Sequence, residues 1–203
     1  MNQRSKNGFT LIEVMITLVV LALLFMVGLP SLTTWLQNTQ VRGAAEAMQA
    51  GLQLARAEAL RRNAPVRFQL VDTLTSACAL SGNGANWIVS INDPTALCDQ
   101  APSDTVAPFT IQKYSSAEGS SNAAVRATGG QVVIFSGLGR VSISGAAPAP
   151  ITQIDVRHVS DPNGGNCQPA GRMRCLRLNI SNGGQTRMCD PAVTDITDSR
   201  FCG

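Results

Sequence analysis

From Phe9 to Pro30 the chain runs for 22 residues with a single charge, Glu13. No other stretch limits the possible folds as severely. At about 1.5 Å rise per residue, a helix of that length spans roughly 33 Å, close to the hydrocarbon thickness of a bilayer. The residues before it, MNQRSKNG, are polar and carry Arg4 and Lys6, whereas only Arg42 follows soon after. That asymmetry favours a cytoplasmic amino terminus and a single crossing. A carboxylate deep in such a helix costs roughly 2.5–3.5 kcal/mol on insertion scales, so it needs a cationic partner. The run supplies none. The alternative is that Glu13, close behind Phe9, stays at headgroup level. No small-residue secretory cleavage site follows Leu29. The candidate cut precedes the apolar run, between Gly8 and Phe9. It would leave the whole anchor on the mature chain and create a new amine at Phe9.

Beyond Pro30, which lacks an amide donor and is expected to kink or locally melt the helix, a helical pattern resumes. Val41, Ala45, Met48, Leu52, Ala55 and Ala59 recur three and four residues apart and form an apolar stripe that must pack on something. Arg42, Glu46, Arg56 and Arg62 fall off the stripe, and Glu58 with Arg62 has the spacing of a helical ion pair. The helix is expected to end near Arg62, ahead of Asn63-Ala64-Pro65.

After Pro65 the period becomes alternating. Val66, Phe68 and Leu70 share one face of a strand. Further strands are expected at 87–91, 109–114, 131–135, 139–144, 151–158, 174–180 and 185–189, separated by turn-rich segments such as SGNGAN, SGAAPAP and DPNGGN. The pattern predicts an α+β fold in which a mostly antiparallel sheet structure receives the helix stripe. Aromatic residues make up only 4% of the chain, so the core must rest on small and branched side chains. Segments 72–86 and 92–108 read as loops.

Six cysteines, Cys78, Cys98, Cys167, Cys175, Cys189 and Cys202, lie in loop-like surroundings downstream of an export signal, which points to disulfides. About 15 pairings are possible for six cysteines. The nearest-neighbour set, Cys78–Cys98, Cys167–Cys175 and Cys189–Cys202, is the expectation. No C-x-x-C spacing or His pair favours a metal, and no metal or cofactor is expected. His158 is the sole histidine, and it reads as a surface residue alternating out of a strand beside Arg157. No nucleophile elbow, phosphate-binding loop or zinc-protease motif occurs, so no catalytic residue is assigned. Gly137 and Gly139 read as a turn between strands.

One cluster has recognition chemistry. Between residues 140 and 187 lie Arg140, Arg157, Arg172, Arg174, Arg177 and Arg187 against only Asp155 and Asp161. Guanidinium groups suit bidentate contacts with phosphate or carboxylate. Arg172 and Arg174, two apart, are expected to share a face of one strand. Arg177 is expected to point the other way, and Arg187 to join the first two from the adjacent strand. The alternative is a solvated strand face that keeps an edge soluble.

The stretch GFTLIEVMITLVVLALL resembles the type III signal of type IV pilins and type II secretion pseudopilins. AAEAMQAGLQLARAEALRRNAPV, VVIFSGLGRV and MRCLRLNISNGGQTRMCDP are similar to the GspH/FimT/FimU group of minor pilins within that family. The resemblance implies a pilin fold with a leader at 1–8, a transmembrane half-helix at 9–30, an amphipathic half at 31–62 and a β-rich domain at 63–203. It implies cleavage after Gly8 by a prepilin peptidase, methylation of Phe9, and docking of Glu13 against the new amine of a neighbouring subunit. It also implies other pilins and membrane lipid as partners, an inner-membrane position with a periplasmic domain, and incorporation into a pilus or a secretion pseudopilus. In relatives that bind double-stranded DNA, a G-R-x-R motif makes the contact. Gly171-Arg172-Met173-Arg174 spells that motif. The alignable position, Gly184-Gln185-Thr186-Arg187, has glutamine in place of its first arginine.

Overall fold

The computed structural model describes residues 9–142, 149–161 and 163–203, without the side chains of residues 27–31. The leader, Gly8 included, and the end of the strand expected at 139–144 lie outside the described residues, as does the side chain of Pro30. The chain divides into two compact units after Leu36. Helix α1, Leu11–Arg62, contributes to both.

In the first unit, Thr10 precedes the helix, and the Glu13 N–H donates to its Oγ1 at 3.3 Å and to its carbonyl at 3.1 Å. Thr10-Leu11-Ile12-Glu13 therefore has the T-x-x-E spacing of a capping box. It also places a carboxylate in the first helical turn, where the helix dipole favours negative charge. The large apolar side chains from Phe9 to Met26 are exposed, Phe9 by 83%. Among the described residues no helix is long and apolar enough to cross a membrane.

The second unit runs from Gln37 to Gly203. Its strands are β1 Val66–Val71, β2 Asn86–Ser90, β3 Thr110–Tyr114, β4 Ala123–Thr128, β5 Val132–Phe135, β6 Gln153–His158, β7 Leu176–Ile180 and β8 Thr186–Cys189. They form two four-stranded sheets, ordered β3-β2-β1-β5 and β4-β6-β7-β8. Every strand pair within them is antiparallel. The molecule is thus an α+β protein with its helix packed on antiparallel sheets, as expected. β4 was not expected: Ala-Ala-Val-Arg-Ala-Thr has little alternation in polarity, and its pairing to β6 selects it. The strand expected at 139–144 shrinks to a bridge at Val141 opposite Phe135.

Both sheets turn one face to the helix. Val41, Ala44, Ala45, Met48, Leu52, Ala55 and Ala59 form one core with Phe68, Leu70, Trp87, Val89, Val133 and Phe135 of the first sheet. The same core includes Val125, Ile154, Val156, Leu178 and Ile180 of the second sheet. Helical and strand periodicities therefore bury matching stripes. Gly51 sits at the tightest approach, where a Cβ would stand 2.9 Å from ring atoms of both Phe68 and Trp87. Trp87 continues the contact, stacked on Tyr114 at 5.5 Å between ring centroids. Across the opposite face of the first sheet, Val71, Ile88, Cys78 and Cys98 form a second cluster with Leu74. The Cys78–Cys98 bridge thereby holds the segment following β1 against the sheet.

The helix stops for local reasons. Asn63 takes a left-handed conformation, φ 47°, and the Ala64 N–H returns to the Ala59 carbonyl at 3.2 Å. That six-to-one bond, with Pro65 just beyond, closes the helix. Glu58 gathers the last turn: its carboxylate accepts from Arg61 at 2.6 Å and Arg62 at 2.8 Å. Arg62 also reaches Asp104 at 2.7 Å, tying the helix end to the loop before β3.

Hydrogen bonds from Arg61, then from Arg62, hold the Glu58 carboxyl far below the ordinary glutamate range, at about 2. A carboxylate with a depressed folded-state pKa stabilises the fold above its unfolded pKa, and that contribution fades as pH falls through the folded value. Thermal melts between pH 6 and pH 2 should therefore show a Tm loss that begins below about pH 4.5 and is shallower in Glu58→Gln. Equal slopes for the two proteins would show that the site is not linked to folding.

Candidate functional site

At the start of α1, Phe9 and Glu13 stand on an exposed apolar surface, and Glu13 forms no ion pair among the described residues. The sequence reading assigned Glu13 a docking role and missed its place in the capping box, although the T-x-x-E spacing was available to find it.

Three disulfides link Cys78 to Cys98, Cys167 to Cys175 and Cys189 to Cys202, each cysteine to its nearest neighbour in sequence. The second closes a hairpin ahead of β7. Within it the Gln168 N–H donates to the Met173 carbonyl and the Met173 N–H to the Asn166 carbonyl. Asp161 caps the same loop through the N–H groups of Gly165 and Asn166. A Cβ at Gly171 would stand 2.0 Å from the Asn166 carbonyl oxygen, so this close approach requires glycine. The Arg174 N–H donates to Asn38 Oδ1 on α1 at 2.9 Å, docking the hairpin on the helix. The third bridge draws the carboxyl-terminal segment over the β7–β8 side of its sheet. There Arg187 donates to the Ser199 carbonyl at 2.7 Å, and Asn179 to the Cys202 carbonyl at 3.0 Å.

The arginines do not form the expected patch. β7 begins at Leu176, so Arg172 and Arg174 lie in the disulfide hairpin, where strand parity does not apply; both are exposed. Arg187 pairs in register with Asn179, and Asn179 shares a face with Arg177 two residues away. Arg177 and Arg187 therefore stand on the same outward face, contrary to the expectation that they would diverge. Leu178 and Ile180 occupy the core face instead.

That outward face centres on Asp155, a carboxylate only 6% exposed. Arg177 Nε donates to its Oδ1 at 2.7 Å, and Arg157 reaches Oδ2 at 3.3 Å. Gln153 donates to Oδ2 at 3.0 Å. Register sets Arg126 of β4 and Arg177 of β7 on either side of Asp155. Arg126 is exposed and makes no hydrogen bond or ion pair among the described residues. Sequence reasoning missed both Arg126 and the central role of Asp155, because each depends on which strands become neighbours.

His158 is a further correction. It is 7% exposed, opposite Ala123 at the end of β6, and its Nδ1 lies 2.7 Å from Ser160 Oγ. It shares parity with Ile154 and Val156, which places it on the core side. Gly137 and Gly139 do form a turn: the Ser136 N–H returns to the Arg140 carbonyl, and Arg56 Nε donates to the Gly139 carbonyl at 3.0 Å. Gly184 closes on the same carbonyl, where a Cβ would stand 2.0 Å away. Among the described residues no group of three His, Cys, Asp or Glu side chains is placed to hold a metal ion.

Against known proteins, the family model of type II transport protein GspH matches residues 44–184. The model of the prokaryotic N-terminal methylation motif matches residues 3–29. Among solved structures, the chain is similar to two crystal forms of the type IV minor pilin FimU of Pseudomonas aeruginosa. One is 14% identical, covering 72% of this chain and 90% of that one, with a TM-score of 0.45. The other is 15% identical, covering 74% of this chain and 88% of that one, also with a TM-score of 0.45. No curated protein matches.

Removing the central carboxylate should expose the electrostatic role of the sheet face. Asp155→Ala leaves two partly buried guanidinium groups facing one another, and breaking a buried ion pair costs about 3–5 kcal/mol. Urea unfolding should show a lower midpoint with an unchanged slope. A loss below about 1 kcal/mol would mean that solvent already screens the cluster.

Proposed function

This chain belongs to the type II transport protein GspH family, and from that premise we propose that it is a minor pilin or pseudopilin, a structural subunit of a type IV pilus or a type II secretion pseudopilus. In this reading a prepilin peptidase cuts between Gly8 and Phe9 and the new amine of Phe9 is methylated. Residues 9–30 anchor the chain once in the inner membrane, and the domain from residue 63 faces the periplasm. The subunit then enters a filament at or near its tip. No catalytic role is proposed.

The observation that carries this reading is an acid without a mate. Glu13 is the only charge in the apolar run and forms no ion pair among the described residues. The match to the N-terminal methylation motif covers this segment. Cleavage at Phe9 makes a cation on each subunit that can answer the Glu13 carboxylate of the next. The pair forms only in the correct axial register, because either charge alone in hydrocarbon is costly.

A second reading, contact with double-stranded DNA, draws on the exposed Arg172 and Arg174. Arg177 is committed to Asp155, and Arg187 donates to the Ser199 carbonyl. Two exposed guanidinium groups make a small footprint beside the roughly 6–10 phosphate contacts of a strongly salt-dependent DNA binder. The structural reading is therefore the better supported.

In cells, Glu13→Ala should insert and be cleaved normally but fall at least about tenfold in sheared filaments. Wild-type amounts of the variant in that fraction would refute the docking role. Mass spectrometry of the mature chain should give a methylated Phe9 as its first residue. For the second reading, the purified chain should give no salt-sensitive gel shift with duplex DNA that Arg172→Gln/Arg174→Gln removes. Such a shift would reinstate the DNA reading.

A further inference from the structure

We propose that the outward face of the second sheet docks on the acidic 92–104 loop of a second copy of this chain, in a head-to-tail contact between globular units. The inference rests on the subunit reading above but concerns a different surface, one that operates outside the apolar helix.

The first observation is the composition of the face. Arg126, Arg157, Arg177 and Arg187 surround a single carboxylate, Asp155, on an outward sheet surface. Directly opposed residues on neighbouring strands stand about 4.5–5.5 Å apart, so Arg126 and Arg177 flank Asp155 closely. Three positive charges remain uncompensated within that face. Asp155 shows what the site accepts: a carboxylate held by two guanidinium groups and an amide. Arg126, exposed and without a partner among the described residues, is free to take a second one.

The second observation is complementarity within the same chain. From β1 to the loop after β3, residues 66–118 hold Asp72, Asp93, Asp99, Asp104 and Glu118 against Arg67 and Lys113. Residues 123–189 hold seven arginines against Asp155 and Asp161. The two sheets of one unit thus carry opposite charge. The 92–104 loop is exposed over most of its length and is fixed by Cys78–Cys98. Lys113 Nζ also donates to the Asp99 carbonyl at 2.9 Å, which leaves the Asp99 side chain exposed on an ordered backbone. A preorganised acidic loop loses little conformational freedom on docking. Guanidinium groups meet carboxylates in a bidentate geometry that phosphate and carboxylate share, so charge alone does not choose the ligand. Extent does: a patch three strands wide suits one loop better than a duplex that needs many phosphates.

Two different surfaces in contact make a heterologous interface, which propagates rather than closing into a pair. The loop between β2 and β3 thereby gains a role that neither the core nor the helix gives it.

The test uses the full chain, one copy per lipid nanodisc, followed by sedimentation at about 50 mM and 500 mM salt. Whether the chain requires the disc at all tests the anchoring reading separately. Wild-type chain should form concentration-dependent oligomers at low salt that dissociate at high salt, as screening demands. Arg126→Glu and Asp99→Lys should each weaken association at least tenfold. Both positions are exposed, and circular dichroism melts should leave both variants as stable as the wild type. Mixing the two variants should restore association but stop at pairs, because each contributes one intact surface. Monodisperse wild type at both salts would overturn the proposal, as would undiminished association of either variant. A 30-base-pair duplex that binds the wild type but not Arg126→Glu, with no self-association, would assign the face to nucleic acid instead and also overturn it.

Discussion

The stripe of α1 from Val41 to Ala59 belongs to a core shared by both sheets. Each sheet is antiparallel, only four strands wide, and apolar on one face. A sheet of that kind gains stability by covering its apolar face. The helix covers both at once, so the two sheets are held together largely through their common support. The tightness of this arrangement explains the small residues on the stripe. Ala44, Ala45, Ala55 and Ala59 let the backbone approach, and Gly51 admits the rings of Phe68 and Trp87 where even a methyl group would collide. A chain with few aromatics spends two of its largest side chains at this one contact.

The remaining features lock what the core leaves loose. Cys78–Cys98 pins the long segment after β1, Cys167–Cys175 closes the hairpin that docks on Asn38, and Cys189–Cys202 brings the carboxyl-terminal segment over the β7–β8 side of its sheet. Each bridge restricts a stretch rich in turns and poor in apolar residues, where burial alone would hold the backbone weakly. At the other end of the helical stripe, Arg56, Gly139 and Gly184 form a knot in which a guanidinium and two left-handed glycines replace side-chain packing. The unit is thereby fixed at both ends of the helix segment it surrounds. That is a suitable build for a domain carried on a helix into an assembly.

Charge is distributed in a way that the chain's small net value hides. The overall balance is only +3, yet one sheet with its loops is acidic and the other is basic. On the basic face, the buried Asp155 organises its arginines so that they do not simply repel one another. The same organisation presents them to an incoming carboxylate. The surface chemistry follows from strand order: Arg126 and Arg177 are 51 positions apart in sequence but flank Asp155 across adjacent strands.

Much of this was legible in the residues. The apolar run with its lone acid, the helical stripe, the stop before Asn63-Ala64-Pro65 and most of the strands follow from periodicity and local backbone chemistry, which act over a few residues. β4 was missed because its small residues carry little pattern of their own. His158 was misplaced because parity relative to a buried neighbour, rather than polarity, decides which face a strand residue takes. The expected grouping of Arg172, Arg174 and Arg187 failed for a related reason: the disulfide hairpin ends before β7 begins, so strand alternation never reaches the first two. Sequence alone determined the elements and the family, because those are written in local spacing and composition. Only the tertiary structure decided which strands are neighbours, and therefore which arginines meet Asp155 and which stand free, because cross-strand contact depends on pairing between segments far apart in the chain.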